Sequence, residues 1–106
     1  YPAFRTGYDP GGALAPVRLA GDGLFEAVQL HEMDRLELHL PAGPRWHAAL
    51  RFGDECRPLP IGSTFDNEGG IFYWQLGAGF LGRFDLEFTS GGTPPLVIPV
   101  DVVTRR

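Results

Sequence analysis

The chain has 106 residues, a formal net charge of −4 at pH 7, 43% hydrophobic and 21% charged residues, and 15 glycines and 10 prolines. This length and composition predict one globular domain with frequent turns and no long helices. All nine basic residues are arginines scattered along the chain. This excludes lysine Schiff-base catalysis and a lysine isopeptide crosslink within the chain, and leaves no basic stripe to bind nucleic acid.

Cysteine content and hydropathy bear on the cellular compartment. Cys56 is the one cysteine, so no internal disulfide can form. No apolar run approaches the roughly 20 residues needed to cross a bilayer, and we expect no membrane span. The chain starts at Tyr1 and its one methionine is Met33, which is compatible with removal of a signal peptide. These features leave the compartment open, because both a secreted protein and a cytosolic one can carry a single free cysteine.

The first 15 residues, YPAFRTGYDPGGALA, have neither helical nor strand periodicity. They include three aromatic residues, Tyr1, Phe4 and Tyr8, among prolines and glycines. We expect residues 1–15 to form an extended N-terminal arm and residues 16–106 to form the folded domain. The arm either folds back on its own domain or packs on a neighbouring copy.

From residue 16 onward, apolar and polar residues alternate in short runs separated by turn residues, which is the pattern of an all-β sandwich or barrel. One strand is predicted from about Leu24 to Leu30. The runs DRLELHL and WHAALRF follow, joined by PAGPR. We expect this connection to be a hairpin loop, with Leu40 paired to Trp46 so that the apolar residues of both strands share one face.

In this hairpin register, His39 and His47 lie opposite each other on the solvent face, within reach of one metal ion, and Glu37 lies on the same face. An open sheet face lacks the buried groups that orient metal ligands. We therefore expect no metal and no other cofactor, and His39 and His47 are weak candidates for metal ligands.

The second half of the chain predicts further strands. RPLPIGSTFDNEGG is rich enough in proline and glycine to allow only short edge pieces. GGIFYWQLGAGFLGRFDLEF then provides two aromatic strands, and PLVIPVDVV closes the domain, with Pro99 predicting an edge or a bulge. The predicted core consists of the inward positions Leu36, Leu38, Trp46, Leu50, Phe72, Trp74, Phe84, Leu86 and Phe88.

The run GGIFYWQLGAGFLGRFDLEFTSGG resembles the later half of bacterial immunoglobulin-like and cadherin-like modules, in the last third of the chain. The residues that match are Phe72, Trp74, Gly82, Phe84, Leu86 and Phe88. The chain departs from the pattern at Leu76, where proline is common, at Phe84, which lacks the hydroxyl of a tyrosine corner, and in having no cysteine pair. The resemblance implies an immunoglobulin-like Greek-key sandwich of about seven or eight strands, with a non-catalytic role and an extracellular or cell-surface location.

Two further features allow alternative interpretations. Asp66, Asn67 and Glu68 are either one part of a calcium site or a turn in which side chains bind nearby backbone groups, and the turn is the simpler account. Ser63 and Ser90 lie in glycine-rich turns without a nucleophile elbow, and no histidine is placed by the sequence to activate Cys56. We therefore expect no enzymatic activity.

Two functions compete. In the first, the chain is a structural module that acts in assembly or as a spacer, and its arm reaches a neighbouring copy so that head-to-tail contacts build a filament. Its partners would be further copies or neighbouring domains of a surface protein. In the second, it is an adhesion module that binds a glycan or a protein through exposed aromatics, with Tyr73 and Phe80 as the candidate ligand or subunit contacts.

Overall fold

A computed structural model describes residues 2–6, 13–21, 24–41, 45–77, 79–91 and 94–104. In this part of the chain the fold is all-β, and its strands form two five-stranded sheets and one two-stranded ribbon. The strands are β1 (Ala3–Thr6), β2 (Ala15–Pro16), β3 (Leu19–Gly21), β4 (Leu24–Phe25), β5 (Val28–His31), β6 (Arg35–His39), β7 (Trp46–Phe52), β8 (Glu55–Arg57), β9 (Ser63–Asp66), β10 (Ile71–Gln75), β11 (Gly82–Ser90) and β12 (Leu96–Val103).

The first sheet has the order β2-β1-β6-β10-β9 and is antiparallel throughout. The second has the order β5-β12-β11-β7-β8 and is antiparallel except for β5, which pairs with β12 in parallel. The ribbon β3-β4 lies in sequence between β2 of the first sheet and β5 of the second. The prediction of an all-β protein built from two sheets is confirmed.

Side chains from both sheets form one hydrophobic core. Phe72 on β10 and Phe88 on β11 are fully buried, and their ring centroids are 5.9 Å apart, so the sheets pack face to face. Trp74 is also fully buried. Of the residues expected in the core, Leu50 and Phe84 are partly buried at its margin, and the buried ones are Leu36, Leu38, Trp46, Phe72, Trp74, Leu86 and Phe88.

The predicted hairpin between DRLELHL and WHAALRF is wrong. β6 pairs with β1 and β10, whereas β7 pairs with β11 and β8, so the PAGPR connection crosses from one sheet to the other. Leu40 and Trp46 are both buried in the common core without pairing as strand neighbours. The alternation of apolar and polar residues predicted which face of each strand points inward. It did not predict whether the two strands belong to one sheet or to two facing sheets, because the apolar residues are buried in both cases.

The described part of the N-terminal segment is not an arm separate from the domain, because it belongs to the first sheet. β1 is hydrogen-bonded between β6 and β2, with Phe4 level with Leu38 on one side and Ala15 on the other. The boundary expected after residue 15 therefore divides the first sheet itself. Strand β1 is only four residues long, too short for its alternation to stand out beside Pro2.

Two other expectations need adjustment. The strand predicted from Leu24 to Leu30 is divided into β4 and β5, and the amide of Glu26 between them donates to the Arg18 carbonyl at 2.8 Å. The strand that contains Pro99 is not an edge strand, because β12 lies between β5 and β11. The pairing with β5 begins at Val100, so Pro99 itself precedes it.

The two ends of the sandwich are defined by hydrogen bonds between strands. At the proximal end, β1 begins at Ala3 opposite His39, and the Trp46 amide at the start of β7 donates to the Asn67 carbonyl at 3.2 Å. At the distal end, β12 finishes at Val103, whose carbonyl accepts from the Glu32 amide at 2.9 Å. The first and last strands therefore begin and finish at opposite ends of the sandwich.

Candidate functional site

The aromatic residues expected to act in assembly are only partly within the described structure. Phe4 is half-buried and packs against the core of its own domain, so its ring is not available to a neighbouring copy in this conformation. Tyr1 and Tyr8 lie outside the described residues.

The two aromatics considered as ligand or subunit contacts do not form one patch. Tyr73 points outward from the first sheet, where the guanidinium of Arg35 lies 5.4 Å from its ring centroid. Phe80 instead turns inward, with its ring centroid 6.0 Å from that of Trp74 and 6.4 Å from that of Phe84. Both are half-buried. Phe80 closes one end of the core, although it lies in a glycine-rich loop.

The histidine pair is also separated. His39 lies on β6 of the first sheet, whereas His47 lies on β7 of the second, opposite Thr89. The predicted juxtaposition of His39 and His47 is wrong because it depended on the hairpin. In the described part of the chain, no group of three or more histidine, cysteine, aspartate or glutamate residues is arranged to hold a metal ion.

The acidic segment after β9 forms a turn. Asp66 Oδ1 accepts hydrogen bonds from the amides of Glu68 and Gly69, each at 3.1 Å. The Arg45 side chain donates to Glu68 Oε1 at 3.0 Å. These contacts agree with the turn interpretation, in which an aspartate side chain satisfies nearby backbone groups.

His39 contacts Glu37, at the centre of a polar cluster on the outer face of the first sheet. Arg5 Nη2 donates to Glu37 Oε2 at 2.7 Å, and His39 Nε2 lies 2.5 Å from the same oxygen. Since a carboxylate only accepts hydrogen bonds, Nε2 carries the shared proton. Tyr73 is the strand neighbour of Glu37 on the side away from Arg5. The cluster links three strands of the sheet.

Glu37 is buried although it points away from the core, and its surroundings shift its titration. Burial raises the pKa of Glu37, but the hydrogen bonds from His39 and Arg5, together with the charges of both, outweigh this effect. The net pKa therefore lies below its ordinary value of 4.5. Because the carboxylate is held by two partners, the cluster is an anchor for β1 and lacks the raised pKa typical of a general acid.

Cys56 lies on the outer face of the second sheet and is exposed. Its thiol donates to Glu87 Oε2 at 3.1 Å, and this hydrogen bond, with burial and the Glu87 charge, raises the pKa of Cys56 above its ordinary value of 9.0 against the opposing effect of Arg51. A nucleophilic cysteine requires the opposite shift.

The strongest unassigned feature is an apolar patch at the distal end. Seven large hydrophobic residues are exposed in the described part of the chain, and five of them lie at the distal strand termini or in the adjoining turns. These five, which we call the apolar patch, are Ile61 (83% exposed), Phe52 (56%), Met33 (47%), Leu81 (44%) and Val103 (36%).

Hydrogen bonds connect the segments that carry the patch. Gln75 Nε2 donates to the Met33 carbonyl at 3.3 Å, and the Trp74 indole donates to the Ile61 carbonyl at 3.2 Å. Both donors stand at the end of β10, so the Met33 and Ile61 turns are fixed beside the same strand terminus. The Glu32 amide then joins the Met33 turn to Val103.

The remaining two members adjoin the same end through β11. Leu81 immediately precedes Gly82, which pairs with Val102. Phe52, at the end of β7, lines a shallow cavity of about 220 Å³ together with Arg83 and other residues of the β7 and β11 termini. Five chain segments therefore present apolar side chains on one end of the sandwich.

The proximal end has a different composition. Its connections PAGP, NEGG and GGTPP contain no leucine, isoleucine, methionine or phenylalanine. The distal connections of residues 32–34, 58–62 and 76–81 each contain at least one, whereas the β7–β8 turn is Gly53 and Asp54. Met33 also has φ = 71°, a left-handed conformation that costs a residue with a side chain roughly 1–2 kcal/mol. The distal end thus keeps an exposed methionine where glycine would be less strained.

The apolar patch was missed from the sequence, although a signal was present. Each member occupies a turn or a strand terminus, and turn residues are commonly polar or small. Successive antiparallel strands place alternate turns at the same end of a sandwich. Applied to this chain, that rule would have predicted Met33, Phe52 and Leu81 at one end. That step requires the correct strand connections, which the mistaken hairpin prevented.

No helix in the described residues is long and apolar enough to cross a bilayer. No family model, curated protein or solved structure matches this chain.

Proposed function

We propose that this chain is a non-catalytic structural module of an extracellular or cell-surface protein, and that it acts as a spacer. The observation that carries the proposal is the path of the chain: β1 begins at the proximal end of the sandwich and β12 finishes at the distal end. A module of this kind passes the polypeptide along its own length. Copies joined in tandem extend in line and separate whatever is attached at the two ends.

We further propose that the topology is an immunoglobulin-like Greek key. The strands β1-β6-β10-β9 and β12-β11-β7 have the order expected of the ABED and GFC sheets when they are lettered along the chain. In this assignment, β5 and β8 extend the second sheet at its two edges. Strands β2 to β4 form an insertion between the first two lettered strands.

The chain path favours the spacer role over filament formation through the arm. β1 already has a strand partner on each side within its own domain. Insertion of β1 into a neighbour would break the pairing with β6 and the contact between Arg5 and Glu37. Adhesion through Phe80 receives no support either, because the ring packs on Trp74.

The spacer proposal is tested with a protein in which two copies of the chain are joined directly. Small-angle X-ray scattering behind a size-exclusion column gives its maximum dimension, with the single chain as the reference. We expect a length close to twice that of the single chain. The same two copies joined by a long glycine–serine linker serve as the control, because a flexible linker allows folded-back arrangements. The proposal would be contradicted if the maximum dimension of the directly joined pair were no larger than that of two modules packed side by side.

A further inference from the structure

We propose that the apolar patch is a dimer interface, in which the distal ends of two copies of this chain meet across a two-fold axis. The inference does not rest on the spacer role, and it concerns a copy whose distal end is not joined to a following module. It begins from the concentration of exposed apolar side chains on one end. Isolated exposed hydrophobics are normal on a protein surface, but a group of five on one end is not.

The size of the patch suits a second copy. Its five side chains expose on the order of 500 Å², in the upper part of the roughly 300–600 Å² covered by the largest apolar patch of a typical monomer. Two such patches in contact bury about 1,000 Å² in total, which is the lower limit for a specific interface. A single patch against a polar surface would gain much less, because only one partner would remove apolar surface from water.

The composition of the two ends decides between a closed dimer and a head-to-tail chain. A head-to-tail contact would place the apolar patch of one copy against the proximal end of the next, where Arg45 and Glu68 form an exposed ion pair. That contact would place the charges of this ion pair against the apolar patch. A two-fold contact places the patch against itself, which is the self-complementary arrangement of most dimers.

The charges beside the patch are compatible with this contact. Arg57 lies 3.3 Å from Glu55, and Arg83 lies 3.4 Å from Asp85, so each positive charge has a negative neighbour. Each pair is therefore locally neutral and adds no net charge beside the patch. Arg57 also lies 4.5 Å from the Phe52 ring centroid, which holds this aromatic ring in place at the margin of the patch.

Light scattering after size-exclusion chromatography tests the proposal on the full chain, over concentrations from low micromolar to millimolar. All proteins carry Cys56→Ser, because the exposed thiol could otherwise crosslink two chains. We expect the mass to rise from one chain to two and no further. Ile61→Asp and Leu81→Asp should each raise the dissociation constant at least about 30-fold, the loss expected of a central interface residue.

Leu19→Asp is the matched control. Leu19 is 44% exposed, like Leu81, but it lies on β3 in the two-stranded ribbon, outside both large sheets. The control should dimerise as the parent does, and circular dichroism should show that every variant is folded. A monomeric parent at every concentration would overturn the proposal, as would growth beyond two chains or equal weakening by Leu19→Asp. The spacer test measures the length of one tandem chain and this test measures the mass of separate chains, so either proposal can fail alone.

Discussion

The Arg5 guanidinium donates to the Glu37 carboxylate at 2.7 Å and thereby connects the first strand of the chain to β6, 32 residues later. Glu37 is buried. When its carboxylate is lost, little water reaches Arg5 to replace the hydrogen bond, whereas water readily does so at an exposed pair. We expect Glu37→Gln to lower the free energy of unfolding by about 2 kcal/mol, as measured by urea denaturation. Glu55→Gln, which breaks the exposed pair with Arg57, should change it by less than about 0.5 kcal/mol. Equal effects would show that Glu37 does not anchor β1.

The lowered pKa of Glu37 predicts a dependence of stability on pH. A carboxylate whose pKa is lower in the folded state stabilises the fold above its unfolded pKa, here 4.5, and the contribution is lost as the pH falls through the folded value. The difference in unfolding free energy between the parent chain and Glu37→Gln should therefore be largest near neutral pH and shrink below about pH 4.5. The groups around the carboxylate are Arg5 from β1, His39 from β6 and Tyr73 from β10.

The pH series is repeated in a His39→Gln background, which removes the imidazole from its contact with Glu37. The loss below the unfolded pKa of Glu37 should persist there, since Arg5 remains. A difference between the parent and Glu37→Gln that is independent of pH would contradict the assignment to the Glu37 carboxylate.

Phe80 is expected to act through stability and not through ligand contact. Its ring packs on Trp74 and Phe84 at the distal end of the core. Phe80→Ala should therefore lower the unfolding free energy by about 2–3 kcal/mol, below the usual cost for a fully buried phenylalanine because this ring is half-buried. Phe52→Ala is the control, since its ring is more than half exposed, and should cost under about 1 kcal/mol in a monomer. If Phe80→Ala left stability unchanged, the adhesion hypothesis would regain support.

The sequence predicted the strand faces more successfully than the strand partners. Alternation is a local property, and it placed Leu36, Leu38 and Leu86 on inward faces, where they are fully buried. Partner choice depends on contacts between distant segments. The segment PAGPR is compatible both with a hairpin and with a crossing from one sheet to the other. Both connections bury the same apolar residues of β6 and β7, so the sequence pattern does not distinguish them.

The candidate site was the least predictable part for the same reason. The pairing of Arg5 with Glu37 requires β1 to be recognised as a strand, and four residues provide too little alternation for that. The apolar patch requires knowledge of which turns share an end. Phe80 is a further example: its glycine-rich neighbours indicated an exposed loop, whereas the buried Trp74 draws its ring inward.

Cys56 should react slowly for an exposed thiol. Its hydrogen bond to Glu87 raises its pKa, so less of the reactive thiolate is present at a given pH. We expect the rate of iodoacetamide alkylation to rise with pH along a curve displaced to higher pH than that of a free cysteine. Glu87→Gln should move the curve to lower pH, whereas Glu68→Gln should not, because Glu68 pairs with Arg45 at the proximal end. Identical curves for the parent and Glu87→Gln would remove Glu87 as the cause.

Gly62 and Gly79 provide a matched test of how tightly the distal turns are packed. Both have a left-handed backbone, with φ of 89° and 90°. A Cβ on Gly62 would lie 2.6 Å from the Gln75 carbonyl oxygen, whereas a Cβ on Gly79 would meet nothing within 4 Å. Gly79→Ala should therefore cost only the backbone term of about 1–2 kcal/mol.

Gly62→Ala should cost at least about 1 kcal/mol more, since the backbone oxygen cannot move aside without disturbing the end of β10. The Gln75 amide donates to the Gly62 carbonyl at 3.1 Å, so the same shift would strain this bond as well. Urea denaturation of the two variants measures the difference directly, because their backbone conformations are alike. Equal losses would mean that the Ile61 turn can move away from β10, and the apolar patch would then lack the fixed geometry that a dimer interface requires.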